Sequence, residues 1–405
     1  MRISMRKARL RKFFAAFAAC FSFWYAARLS GEAAFAADES AWTWEVLVVP
    51  PDEGWENSAG ESIRNALLWH RAEISESGDG IHGHDLDFVF LPPTDEDSVE
   101  GYVLPITPQS VAILSFASYP VDRELTKLAS GKRIPLMLGG GENVFFFDRG
   151  RLLPFVFALD LFRDYRARAF VDYAVKKAEL QARLSVIGTR FTLHEEREAK
   201  ICFDLFSEAG FMPMPFWADA SVTDTFAMVE QEIKDYSDGL LVSYVGGMAS
   251  KEIWRGIMGN QSPYRLWYGG APDRTFLSFK GMLFADQNAA LDARGGFEQL
   301  KRDLWTSRTL NVADKIAAGR ANALAVWLTR ALKALPPGDI QKIDKDVLVS
   351  RLENVREIPF GRQMLEIDEK NHRPRRRQVY ILEVRDRNFF VLDVLDVEGL
   401  KYYDY

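Results

Sequence analysis

The sequence predicts an α/β protein built as two doubly wound lobes with parallel sheets, joined by a hinge. Three observations carry this expectation. Short apolar runs alternate with amphipathic helical stretches through most of the chain, which is the pattern of βαβ units. The alternation reaches Gly139-Gly140-Gly141 and then starts again. At 405 residues the chain is also longer than one hydrophobic core usually grows.

The elements follow in order. Trp44 to Val49 is an apolar run that stops at Pro50-Pro51. Ser58 to Ala72 reads as a helix with Ile63, Leu67 and Leu68 on one face. His84 to Leu91 alternates as a strand does, and Val111 to Leu114 is a buried strand followed by a helix from Val121. Ile134 to Leu138 is the next strand. The second run has a helix over Tyr165 to Lys177, then strands at Leu184–Gly188, Phe211–Trp217, Gly239–Tyr244 and Tyr264–Tyr268. Helices at Glu195–Ala209, Val222–Tyr236 and Lys251–Met258 separate those strands. The last third holds one strong helix, Asp314 to Leu335, a short one at Val347–Leu352, and closing strands Val379–Val384 and Phe389–Val394. It reads as material returned to the two lobes, not as a third.

The first residues bear on the compartment. Arg2, Arg6, Lys7, Arg9, Arg11 and Lys12 form a basic stretch, and an apolar run from Phe13 to Ala27 follows. Ala34-Phe35-Ala36 then has the small-x-small form of a cleavage site, so residues 1–36 read as a secretory signal peptide. The apolar run is shorter than the roughly 20 residues a spanning helix needs. Phe17-Ala18-Ala19-Cys20 loosely resembles a lipoprotein processing site, which is the second reading. The leader holds seven of 51 bases and one of 57 acids, so the remainder carries 44 bases and 56 acids, a formal charge of −12. An acidic exported chain does not suit nucleic acid. Only Cys202 remains, in an apolar setting, so no intrachain disulfide can form.

Signals for chemistry are few. His82-x-His84 has metal-pair spacing, but no third ligand is evident, so no metal is expected. No Gly-x-Ser-x-Gly elbow and no Ser/His/Asp motif occurs. Gly139-Gly140-Gly141 lacks the Gly-Lys-Ser/Thr of a phosphate loop, and no Gly-x-Gly-x-x-Gly follows the first strand. The expectation is a non-enzyme without cofactors. The basic run Arg373 to Arg377 reads as a solvated hinge or docking patch.

In this order the elements resemble those of the type I periplasmic binding proteins, the leucine/isoleucine/valine-binding group of ABC transporter substrate-binding proteins. The resemblance runs from about Trp42 to Val394. It is carried by Ser58-Ala59-Gly60 at the first helix and by Gly80-Ile81-His82-Gly83-His84-Asp85-Leu86, similar to the family's Gly-Ile-x-Gly-x-x-Leu turn. Lys132-Arg133-Ile134-Pro135, the helices Ala199–Gly210 and Ala323–Leu332, and Phe360-Gly361 with Ile367 to His372 also match. The resemblance implies two Rossmann-like lobes, the first from 38–160 plus 285–372 and the second from 161–284 plus 373–405. It implies a monomer that captures a small-molecule ligand and delivers it to an ABC transporter permease in the inner membrane. A sensory module of the same fold, acting on a membrane signalling protein, is the alternative.

The resemblance also nominates ligand-binding positions. Trp55 stands where the family often has an aromatic residue over the ligand. Ser118 matches a serine that bonds a ligand carboxylate. The backbone N–H groups of Gly140 and Gly141 suit the same carboxylate. Phe191 and Met248 stand where Tyr is common, Glu142 replaces a Thr, and Tyr244 adds to an aromatic pocket. Gly270 replaces the acid that answers an amino acid's ammonium group, with Glu142 or Asp273 as possible substitutes. An unpaired buried charge is costly, so the resemblance's amino-acid specificity is expected to fail and a less polar carboxylate to suit better. For each position the plainer alternative is packing or an ordinary loop.

Overall fold

In the computed structural model the described residues are 43–78, 80–94, 105–140, 147–148, 151–177, 183–189, 193–218, 227, 231, 235, 239–245, 247–259, 264–270, 272, 276–287, 315–336, 343–360 and 363–398. The stretch expected to be a signal peptide, Cys20 included, and most of the expected helix at Val222–Tyr236 lie outside them.

The first sheet is built from β1 (Trp44–Val49), β2 (Leu86–Phe90), β3 (Ser110–Ser115), β4 (Leu136–Leu138) and, beyond the small hairpin β5 (Phe147–Asp148) and β6 (Arg151–Leu152), β7 (Val156–Ala158). Its order is β2-β1-β3-β4-β7, parallel throughout. Helix α1 (Ser58–Glu76) starts at Asn57, whose side chain accepts from the Gly60 N–H at 2.8 Å, and α2 (Tyr119–Lys132) starts at Ser118. Leu47, Ile113, Leu136 and Val156 bury one sheet face against Val121, Leu125 and Ala129 of α2.

The second sheet starts after α3 (Tyr165–Lys176), with β8 (Leu184–Thr189), α4 (Leu193–Glu208), β9 (Met214–Ala218), β10 (Leu240–Ser243), α5 (Gly247–Gly259), β11 (Arg265–Tyr268) and β12 (Leu283–Asp286). After α6 (Lys315–Lys333), α7 (Lys345–Glu353) and the hairpins β13 (Ile358–Phe360) with β14 (Gln363–Leu365) and β15 (Ile367–Asp368) with β16 (Arg373–Pro374), the chain closes with β17 (Arg376–Arg385) and β18 (Asn388–Glu398). The order is β18-β17-β12-β11-β10-β8-β9. Strands β9 to β12 are parallel, and β17 joins β12 antiparallel. Here α3 and α4 bury Phe170, Tyr173, Cys202 and Phe206 against the strands.

The last third rejoins earlier elements. Trp327 of α6 is fully buried, meets Phe157 of β7 edge-on at 5.6 Å and donates to the Leu352 carbonyl at 2.9 Å. Strand β17 pairs Tyr380 with Asp286 and Glu383 with Leu283.

Two sequence expectations are corrected here. The strand expected from His84 starts at Leu86, because Gly83 is left-handed at φ +82° and His84 closes a tight bridge with Ile81. The Arg373–Arg377 run is not uniformly solvated. Arg375 and Arg376 are exposed, but Arg373 and Arg377 are each only 1 % exposed, held by acceptors that the strand ends bring to them.

Candidate functional site

Both sheets reverse their strand order once, between β1 and β3 and between β8 and β10. In open parallel sheets, ligands sit outside the carboxyl ends of the strands at such a reversal. The chain leaving β7 and the chain leaving β12 meet at one junction. After β7 the chain crosses as Leu159 to Asp164, and after β12 it passes through Gln287. The Leu161 N–H donates to Oε1 of Gln287 at 3.0 Å.

Arginine and aspartate knit that junction. Asp160, 1 % exposed at its side chain, accepts from Nη1 of Arg377 at 2.8 Å and from Nη2 of Arg320 at 2.9 Å. Arg377 also donates to the carbonyls of Leu159 (2.7 Å) and Gln287 (3.1 Å). Arg373 donates to the Asp160 carbonyl at 2.7 Å and lies 3.8 Å from the centre of the Phe162 ring. A buried carboxylate with two guanidinium partners satisfies the rule that buried charge is paired and hydrogen-bonded. Beside it Arg163 pairs with Glu198 of α4 at 2.7 Å.

At the β1/β3 reversal, Ser118 has an extended backbone and its hydroxyl makes no capping bond to α2. Its N–H donates to Oδ1 of Asp52 in the β1 loop at 2.9 Å. Beneath it Ser115 donates to buried Asp122 at 2.6 Å. Burial pushes the Asp122 carboxyl well above the usual range, the Ser115 bond opposing and nearby Asp52 adding to the rise. One strand over, the Gly139 N–H bonds the Ser115 carbonyl at 2.8 Å. A Cβ on Gly140 would stand 2.7 Å from Nη1 of Arg320, so the guanidinium lies against bare backbone at the end of β4.

No protein-family model and no curated protein matches the sequence. Solved structures do match. An ABC transporter substrate-binding protein from Desulfitobacterium hafniense superposes with a TM-score of 0.68 at 12 % identity, covering 87 % of this chain and 100 % of its own. A putative branched-chain amino acid ABC transporter protein from Rhodospirillum rubrum gives 0.66 at 13 %, with the same coverage. A solute-binding protein of an ABC transporter from R. palustris, in complex with benzoate, gives 0.59 at 15 %, covering 88 % of this chain and 97 % of its own. This is the fold of the type I periplasmic binding proteins.

Within that binding-protein fold the nominated residues divide. Ser118 and Gly140 lie on neighbouring strand ends of the first sheet. Trp55 is 7 % exposed, its ring edge-on to Phe90 at 5.1 Å under Arg64, and its N–H donates to the Leu91 carbonyl at 2.6 Å. That geometry is the packing alternative. Tyr244 is likewise inside the second core, 3 % exposed, with its ring beneath Gly269. Burial raises its hydroxyl well above the usual range and pushes the neighbouring Cys202 thiol up to about 12. Gly270 is buried, and a Cβ there would meet the Tyr268 ring at 2.5 Å, so Tyr268 occupies the space an acid would use. Gly141, Glu142, Phe191 and Asp273 lie outside the described residues; Met248 falls in the first turn of α5, its side chain not described.

Sequence reading missed Arg320, Asp160, Arg163 and Tyr268. A lone Arg in the small-residue run Ala317-Ala318-Gly319-Arg320-Ala321 and an Asp closing the apolar run Phe155–Leu159 were signals for the first two. Among the described residues no helix is long and apolar enough to cross a membrane, and no group of three or more His, Cys, Asp or Glu could hold a metal ion. His82 is spent on the Leu332 carbonyl at 3.1 Å, and His84 lies beside Trp44.

Proposed function

We propose that this chain is an exported, monomeric solute-binding protein that takes a small organic carboxylate between two lobes and hands it to an ABC transporter permease in the inner membrane. In this reading it is not an enzyme. The lobes are residues 38–160 with 285–372 and residues 161–284 with 373–405, with the exchange between them near Asp160, Gln287 and Arg373. The observation that carries the proposal is the first-sheet reversal, where Ser118, its hydroxyl uncommitted to its own helix, follows the strand paired with the one that Gly140 follows. Hydrogen-bond donors at strand ends and a helix N-terminus suit a carboxylate. The benzoate held by the R. palustris protein supports an acid as the ligand class.

Amino acids fit less well. At Gly270 there is no acid to answer an ammonium, and the Tyr268 ring fills that space. Burying an ammonium without a partner costs several kcal/mol, on the order of a thousandfold in affinity. The test is calorimetric titration of the purified protein with leucine, phenylalanine, their keto-acid counterparts and benzoate, together with mass spectrometry of any ligand released on denaturation. Carboxylates without an ammonium group should bind at least ~100-fold more tightly than the amino acids. Tight leucine binding without keto-acid or benzoate binding would refute the ligand class, and no binding of any small solute would refute the solute-binding reading.

A further inference from the structure

We infer that Asp122 and Ser250 are positioning residues for the solute, each fixing the loop at its sheet's reversal through the serine that ends the strand. The inference rests on the solute-binding reading above and does not depend on whether the solute carries an ammonium.

The two sheets carry the same loop. Counted from β2 and from β9, the strand beyond the reversal is the third, β3 in one sheet and β10 in the other. Each ends on a serine, Ser115 or Ser243, and three residues later a helix begins, α2 or α5. Asp122 and Ser250 are the fourth residues of those helices, each seven positions after its serine. The surrounding bonds repeat as well. The Phe116 N–H donates to the Val49 carbonyl and the Tyr244 N–H to that of Ile187, on the strands before the reversal. The N–H groups of Gly139 and Gly269 donate to the Ser115 and Ser243 carbonyls, both at 2.8 Å. A Cβ on either glycine would meet the ring that follows the serine, Phe116 at 2.6 Å or Tyr244 at 2.2 Å.

Within each loop the serine hydroxyl works in two directions. In the first sheet it accepts from the Ala117 N–H at 3.3 Å and donates to Oδ1 of Asp122 at 2.6 Å. In the second it accepts from the Val245 N–H at 3.4 Å and lies 2.8 Å from Oγ of Ser250. Ser250 gives its own proton to the Val245 carbonyl at 3.1 Å, so Ser243 is the donor between the two hydroxyls. All four side chains are fully buried. A buried hydroxyl that loses its acceptor reorients, and the backbone N–H it held loses a fixed partner. Asp122 and Ser250 therefore set how each loop leaves its strand.

The far end of the first loop is tied separately, because the Ser118 N–H donates to Oδ1 of exposed Asp52 at 2.9 Å. Burial, opposed by the Ser115 bond and reinforced by Asp52, holds Asp122 toward its neutral form. It thus serves the loop as a hydrogen-bond partner and not as a second negative charge beside Asp52.

The test titrates wild type and variants with whichever of benzoate, 4-methyl-2-oxopentanoate and leucine wild type binds most tightly. Asp122→Ala should weaken binding ~5–10-fold, about the worth of one hydrogen bond. Asp122→Ser, which copies the second sheet's pairing into the first, should bind within ~3-fold of wild type. In a Ser118→Ala background Asp122→Ala should add less than ~2-fold, since its effect passes through that loop. Ser250→Ala acts in the other sheet and should add its own ~5–10-fold there. Thermal melts identify a variant that does not fold, and Ser115→Ala, which removes the same bond from its other end, then replaces Asp122→Ala. Full affinity without the bond, no recovery in Asp122→Ser, or an undiminished loss on Ser118→Ala would overturn the role of Asp122. Full affinity in Ser250→Ala would overturn that of Ser250. Each of these leaves the solute-binding reading standing, whereas a wild type that binds none of the three solutes overturns that reading and the inference with it.

Discussion

Asp160→Asn should destabilise the protein more than almost any other single-atom exchange in it. Both oxygens of Asp160 are used, one by Arg377 at 2.8 Å and one by Arg320 at 2.9 Å, and the side chain is 1 % exposed. Arg377 is 0 % exposed at its side chain, so it cannot turn to water when its counter-charge goes. Removing one partner of a buried ion pair typically costs ~3–5 kcal/mol, because the other charge stays buried and uncompensated. Asparagine keeps one acceptor oxygen, which points to the lower half of that range. With an unfolding entropy of about 2.1 cal/mol/K per residue over roughly 360 residues, ~3 kcal/mol lowers the melting temperature by about 4 °C. Urea unfolding and calorimetry on wild type, Asp160→Asn, Arg377→Gln and the double variant measure it. The double variant should cost less than the sum of the singles by ~1–3 kcal/mol, as groups in one network do. A loss below ~1 kcal/mol in Asp160→Asn, or additive single effects, would refute the view that this carboxylate holds the junction together.

Two further outcomes follow from the packing. His70 is buried between α1 and α6, its Nε2 2.9 Å from Thr329 Oγ1, and burial, with help from Lys333, lowers it to about 4. The unfolded chain takes up this proton near the ordinary 6.5 and the folded chain only near 4, so stability is full above pH 6.5 and falls as pH drops through that window. The loss should reach roughly 3 kcal/mol by pH 4, and urea midpoints for wild type against His70→Gln should show the difference shrinking as pH falls. Gly60→Ala should cost ~2–3 kcal/mol as an overpacking defect, because its Cβ would stand 2.2 Å from the Gly54 carbonyl and 2.8 Å from the Trp55 Cα, both backbone; chemical unfolding measures it, and a neutral result would mean the β1 loop can shift.

Much of the fold was legible because its signals are local. A helix start such as Asn57 to Gly60, the proline pair after β1, and the apolar face of Ser58–Glu76 all lie within a few residues of each other. The strands that were missed, Val156–Ala158 and Leu283–Asp286, are three and four residues long and buried along their length. Fully buried parallel strands show no alternation, so a short apolar run cannot be distinguished from loop or helix core by period alone. The helix at Gly247–Gly259 begins four residues before Lys251, where its apolar face becomes obvious.

The site was half legible for a related reason. By itself the sequence determined the order of elements, the glycines and serine at the strand ends, and the absence of an acid at 270. Those are properties of single residues at positions that the element order fixes. What only the tertiary structure decided is which side chains meet. Asp160 finds Arg377 across 217 residues of sequence and Arg320 across 160, and Trp55 and Tyr244 turn into the cores instead of toward the junction. A charge in a sequence carries no mark of its partner. Pairing of buried charges is imposed by desolvation once the chain crosses between the sheets and brings the strand ends together.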